Sequence, residues 1–153
     1  MAASDLPPLR PDEAQLVVDV LTAALWSDRR MARQQVRAVA EAGALLGVPD
    51  VAVRITRGLS LDDLEVEALA PPARIALFAA AAWTTAADSR EHPLERLWLA
   101  GLRARLGLDG MVARRLERLA WRMRSQAGGD PTRHELEALL RAAPRLVSPV
   151  VAA

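Results

Sequence analysis

The sequence predicts an all-α fold, a single helical bundle of about seven to eight helices in two imperfectly repeated four-helix units. Three observations carry this. Alanine and leucine dominate, and β-branched residues are sparse outside a few valines, which favours helix over strand. No stretch sustains the apolar–polar alternation of a half-buried strand. Finally, a pattern recurs sixty residues on. SDRRMARQQVRAVAEAGALLGV begins at Ser27, and ADSREHPLERLWLAGLRARLGL begins at Ala87. Pro11/Pro71, Asp28/Asp88, Arg30/Arg90, Ala40/Ala100, Ala44/Ala104, Leu46/Leu106, Gly47/Gly107 and Arg54/Arg114 match at that offset. The matches fall at helix starts, an inter-helix acid and a helix stop, where a structural repeat needs them.

Residues 1–10 read as a proline-containing lead, 11–145 as the helical domain with units 11–70 and 71–145, and 146–153 as a tail. A first helix is expected over 12–26, with Asp12 and Glu13 in the first turn, where the helix dipole favours acids. A second spans 31–46 and stops at Gly47, a residue suited to the left-handed position after a helix. A short third covers 50–57. Ser60 and Asp63 have capping-box spacing for a fourth over 61–69, and Pro71 and Pro72 divide the halves.

The fifth expected helix, 73–87, is apolar nearly all round, as a buried central helix should be. Its uncharged run, Ile75 to Ala87, is shorter than the ~20 residues a membrane span requires. Pro93 opens the sixth at a first-turn position. Leu94, Leu97, Trp98, Gly101 and Leu102 are expected as its inner face, and Gly107 ends it. The seventh runs over 110–126. The eighth starts after Asp130-Pro131-Thr132, where Thr132 and Glu135 repeat the Ser60/Asp63 spacing, and ends before Pro144.

Net charge is +1, so strong non-specific nucleic-acid binding is not expected. The charge is split: residues 1–70 carry 7 Arg and 11 acids, and residues 71–153 carry 13 Arg and 8 acids. Opposed halves can attract within one fold or between two copies. There is no lysine, so arginine supplies the long cationic side chains, and there is no cysteine for disulfides or thiolate metal sites. The first residues lack a basic start and an apolar core, so no signal peptide is read and a cytoplasmic location is expected.

The string from Ala87 to Leu108 resembles the tellurite-resistance TerB-like family of small α-helical proteins. That family shows an Ala-Asp-Gly turn after an apolar helix, a glutamate early in the next helix, and apolar spacing ending in Leu-Gly-Leu. Asp88 matches the turn acid, Glu95 the helix glutamate, and Leu106-Gly107-Leu108 the end. Ser89 stands in place of the glycine, and in the first copy Gln35 stands where the glutamate would be. The match covers roughly 70–110 well and 12–54 loosely. The resemblance implies a non-enzymatic protein of a bacterial stress or envelope-associated system, with divalent-metal binding by loop acids.

Read on their own chemistry, Asp88, Glu91 and Glu95 offer oxygens to a divalent cation, with His92 beside them. The plainer alternative has Asp88 capping the helix that follows, Glu95 in its first turn and His92 exposed. A second candidate is the polar face of 110–126. Val112, Leu116, Leu119, Ala120 and Met123 share one side, and Trp121 points nearly opposite. Arg114, Arg118 and Arg122 lie beside it at i, i+4, i+8. Such a face suits a protein partner or a second copy, and less readily single-stranded nucleic acid. Against that, the helix is expected to be sandwiched, with Trp121 buried and the arginines reaching water. Asp62, Asp63, Glu65 and Glu67 form an acidic face that is solvated or docks on those arginines. No nucleophile–base pair, phosphate-cradling loop or metalloprotease motif appears, so catalysis is not expected; an enzyme or enzyme subunit with an unrecognised site is the remaining alternative.

Overall fold

The structure is a computed structural model that describes residues 9–27, 29–90 and 92–147. Most of the lead and of the tail, with Asp28 and Glu91, lies outside the described residues. Among these there are seven α-helices and no strand. They are α1 (Pro11–Trp26), α2 (Arg33–Leu46), α3 (Val51–Arg57), α4 (Pro71–Thr85), α5 (Pro93–Leu106), α6 (Gly110–Ala127) and α7 (Arg133–Val147). α4 is the central element. From Ala76 to Thr85 each of its residues is buried, and α1, α2, α5, α6 and α7 pack around it. One continuous cluster of buried aliphatic side chains, with Trp83 and Phe78 at its centre, joins these helices.

Glu13 fastens two helix starts together. It accepts a backbone hydrogen bond from Arg10 (3.1 Å), closing the first turn of α1, and another from Ala70 (3.1 Å), the residue before α4. The N–H of Ala70, and next that of Arg10, hold its carboxyl below the usual carboxylate range. Pro71 and Pro72 lie inside the first turn of α4, where their missing N–H groups are not needed, and so begin that helix rather than merely separate halves.

The helix expected over 61–69 is instead two single 3₁₀ turns, Leu61–Asp63 and Val66–Ala68. Ser60 and Asp63 do make the capping box, but it leads into only one turn. Leu64, Val66 and Leu69 are buried at a spacing no α-helix presents on one side. Arg105 of α5 donates to the carbonyls of Leu61 and Leu64 (2.5 Å each), and Arg74 donates to those of Glu67 and Leu69. Arginine thus replaces the donors a continuing helix would supply.

α5 is turned relative to the expected face. Glu95, Leu99, Leu102 and Leu106 are buried, whereas Leu94, Leu97 and Gly101 are exposed. The inner stripe contains a carboxylate, so hydrophobic spacing alone favours the wrong side; the buried partner of Glu95, described below, decides the rotation. α7 also differs, continuing through Pro144 to Val147.

Candidate functional site

A cleft of about 880 Å³ opens between the C-terminal end of α4, α5 and α6. Its apolar lining comes from small residues, Ala82 of α4 and Ala86 just after it, Ala100 of α5 and Ala113 of α6, together with Leu99. Short side chains at these positions leave the space between helices unfilled. At one end Gly110 opens α6 beneath Arg103, whose guanidinium would lie 3.4 Å from any Cβ placed there.

The rim is mostly arginine, with Glu117 among them on α6. Arg114, Arg118 and Arg122 come from α6, Arg96 and Arg103 from α5, and Arg90 from the preceding loop. Several arginines elsewhere have a carboxylate: Arg54 with Asp19 (2.8 Å), Arg105 with Glu67 (2.8 Å), Arg124 with Glu135 (2.8 Å) and Arg133 with Glu41 (3.4 Å). Arg90, Arg103, Arg114, Arg118 and Arg122 make no ion pair among the described residues, and all five are exposed. Five guanidiniums around one concavity raise the local positive potential and attract anions.

Trp121 stands on this rim and is 39% exposed, which corrects the expectation of a buried ring. α6 buries only the side carrying Ala113, Leu116, Ala120 and Arg124, against α4 and α7. The adjoining side lines the cleft, and among the described residues no second packed layer covers Trp121 there. Trp121, Arg114, Arg118 and Arg122 are therefore brought together on one open wall.

The Asp88 loop is built differently from the expected cap. Asp88 accepts from the backbone N–H of Arg90 (3.1 Å), closing a turn in which Ser89 adopts a left-handed φ of 60°. The cap of α5 is His92, whose Nδ1 accepts from the N–H of Leu94 (3.2 Å). Glu95 faces inward and is buried, accepting a hydrogen bond from Gln35 Nε2 (2.5 Å). The same Nε2 donates to the carbonyl of Thr85 (3.2 Å). Among the described residues no three His, Asp or Glu side chains gather as a cation site needs; Glu91 lies outside them.

The acidic segment docks on α5, not on the arginine row of α6. Arg105 grips Glu67 through two bonds (2.9 and 2.8 Å), while Asp62, Asp63 and Glu65 remain exposed. Arg105 holds the Glu67 carboxyl down at about 2.

One buried polar group lies outside the expected sites. Arg124, at 1% exposure, binds Glu135 and the carbonyls of Ala87 (3.2 Å) and Gly129 (2.6 Å), and Glu135 also accepts from Trp83 Nε1 (2.6 Å). On the helical wheel Arg124 lies apart from the row of Arg114, Arg118 and Arg122 and in line with the buried Ala113 and Ala120, so the helical period already turns it inward. No family model, no curated protein and no solved structure matches the chain.

Proposed function

We propose that this protein is a non-enzymatic binding module that receives an acidic segment of a partner protein in the cleft between α4, α5 and α6. The observation that carries this reading is the set of five arginines without an ion pair around an apolar cleft, with Trp121 exposed among them. Arginine and tryptophan are the side chains that anchor protein interfaces, and the cleft volume falls in the range of about 300–1,000 Å³ typical of binding pockets. The net charge of +1 favours a local acidic partner over a polyanion wrapped across the surface. The TerB-like resemblance of residues 70–110 supports placing the interaction in a bacterial stress or envelope-associated system.

An internal duplication belongs to the same reading. α1 and α4 start at Pro11 and Pro71, α2 and α5 end at Leu46 and Leu106, and Gly47 and Gly107 cap those ends at φ 72° and 67°. Arg29 and Ser89, in the two connecting loops, share a left-handed backbone. These pairs support two related hairpins, of which only the second built an arginine-rimmed cleft, because α6 is far longer than α3.

The test uses a fluorescein-labelled helical peptide bearing aspartates and one leucine, with a thymidine oligonucleotide as competitor. Wild-type protein should bind the peptide with an affinity that falls as salt rises. Trp121→Ala should weaken binding by about 2 kcal/mol or more, and Arg118→Glu with Arg122→Glu should abolish it, with unchanged thermal stability in each. Binding indifferent to these substitutions, or preference for the oligonucleotide, overturns the reading.

A further inference from the structure

Three carboxylates of the acidic turns stay unanswered. Arg105 takes Glu67, while Asp62, Asp63 and Glu65 are exposed and make no ion pair among the described residues. The segment is also held in a fixed shape. Arg105 donates to the carbonyls of Leu61 and Leu64, and Asp63 accepts from the N–H of Ser60. A turn ordered in advance loses little conformational freedom on docking.

The cleft has the converse excess. Arg90, Arg103, Arg114, Arg118 and Arg122 line it without an ion pair among the described residues. The lining acids are Glu95, which Gln35 holds, and Glu117. Arg114, Arg118 and Arg122 follow one another about 6 Å apart along α6. The two surfaces cannot meet within one chain. At about 100° per residue, Arg105 and Arg103 lie on opposite flanks of α5. The acidic turns, fixed to Arg105, therefore sit across α5 from the cleft that Arg103 borders. A second copy has no such barrier.

We propose that the acidic turns of one copy dock on the arginine rim of the cleft in a second copy, head to tail. This identifies the acidic segment that the cleft receives, and so rests on that reading of the cleft. Asp62, Asp63 and Glu65 meet the row of Arg114, Arg118 and Arg122, with the exposed Trp121 beside them as anchor. The excess of acids in residues 1–70 and of arginines in 71–153 is then balanced between copies. Because the two surfaces lie on opposite flanks of α5, each contact leaves one acidic turn and one cleft free. Association therefore continues past two copies instead of closing as a dimer.

Sedimentation velocity on the full chain from micromolar to millimolar concentration tests this. Wild-type protein should grow past the dimer as concentration rises, and high salt should return it to monomer. Asp62→Asn with Glu65→Gln spares the Asp63 capping bond and should raise the dissociation constant about tenfold or more. Arg118→Glu with Arg122→Glu should do the same. Mixed together, the two variants should form a 1:1 pair that grows no further, one supplying the cleft and the other the acidic turns. A wild-type protein monomeric throughout, self-association unchanged by either double substitution, or failure of the mixture to pair overturns the proposal. The peptide titration separates this outcome from failure of the cleft itself. The Asp62→Asn, Glu65→Gln variant keeps its cleft and should bind the fluorescein-labelled peptide at least as tightly as wild type. Peptide binding by a wild-type protein that stays monomeric overturns self-docking alone. No peptide binding, with self-association that Arg118→Glu and Arg122→Glu leave intact, overturns both.

Discussion

Gln35 donates a 2.5 Å hydrogen bond to Glu95, and the two residues stand sixty positions apart, the offset at which the sequence pattern recurs. Two positions separated by that offset thus meet in the buried interior, one as amide and one as acid. Two glutamates facing each other there would bring like charges together without water. An amide opposite a carboxylate supplies the donor instead, which is a physical reason for position 35 to be glutamine where position 95 is glutamate.

Gln35→Leu should destabilise the protein by about 2–3 kcal/mol, the loss of a bond to a charged group, measured by urea unfolding. Adding Glu95→Leu should cost less than the sum of the two single changes, because the pair is removed together. Additive losses would show that the contact is energetically silent.

Arg124 offers a stronger test of the core. Arg124→Met leaves the Glu135 carboxylate, among the described residues, with Trp83 Nε1 as its one side-chain donor, and should cost about 3–5 kcal/mol. Arg124→Met with Glu135→Leu should recover part of that loss. Arg118→Met, on the open wall, should change stability by no more than about 0.5 kcal/mol. Equal effects at the two arginines would contradict the inward orientation of Arg124.

Ser89 holds a φ of 60°, a conformation that costs an ordinary side chain about 1–2 kcal/mol and glycine almost nothing. Ser89→Gly should therefore raise the melting temperature, whereas Ser89→Val should lower it. Arg29→Gly should behave like Ser89→Gly, since Arg29 shares that backbone region at φ 62°. A drop in stability on either glycine substitution would refute the strained-turn account.

The fold should lose stability in acid partly through Glu67. Arg105 lowers its pKa from 4.5 to about 2. A carboxyl lowered on folding stabilises the native state above its unfolded pKa, and that contribution disappears as pH falls through the folded value. The window is therefore from 4.5 down to about 2, and Glu13 adds in the same direction. Melting temperature against pH should fall less steeply in this window for Glu67→Gln than for wild type. High salt should reduce the difference, since Glu67 is more than half exposed. Parallel curves would count against the Arg105–Glu67 pair.

The all-α class, the central apolar helix over α4, the helix stops at Gly47 and Gly107 and the grouping of Trp121 with Arg114, Arg118 and Arg122 were legible in the sequence. Each rests on local rules: helix propensity, apolar content, left-handed capping and a 3.6-residue period act within a few turns of chain. The rotation of α5, the 3₁₀ course of residues 61–68, the ion pair of the buried Arg124 and the exposure of Trp121 were decided only by tertiary structure. In each, a polar partner distant in sequence overrides the local pattern, or a missing second layer leaves it uncovered. Glu95 turns α5 because Gln35 waits sixty residues upstream; Arg105 unwinds the acidic segment by taking its carbonyls; Glu135 pairs with the buried Arg124; and among the described residues no helix covers the outer side of α6. Hydrophobic periodicity says which residues share a face, but which face meets the core depends on donors and acceptors that only the folded chain brings together.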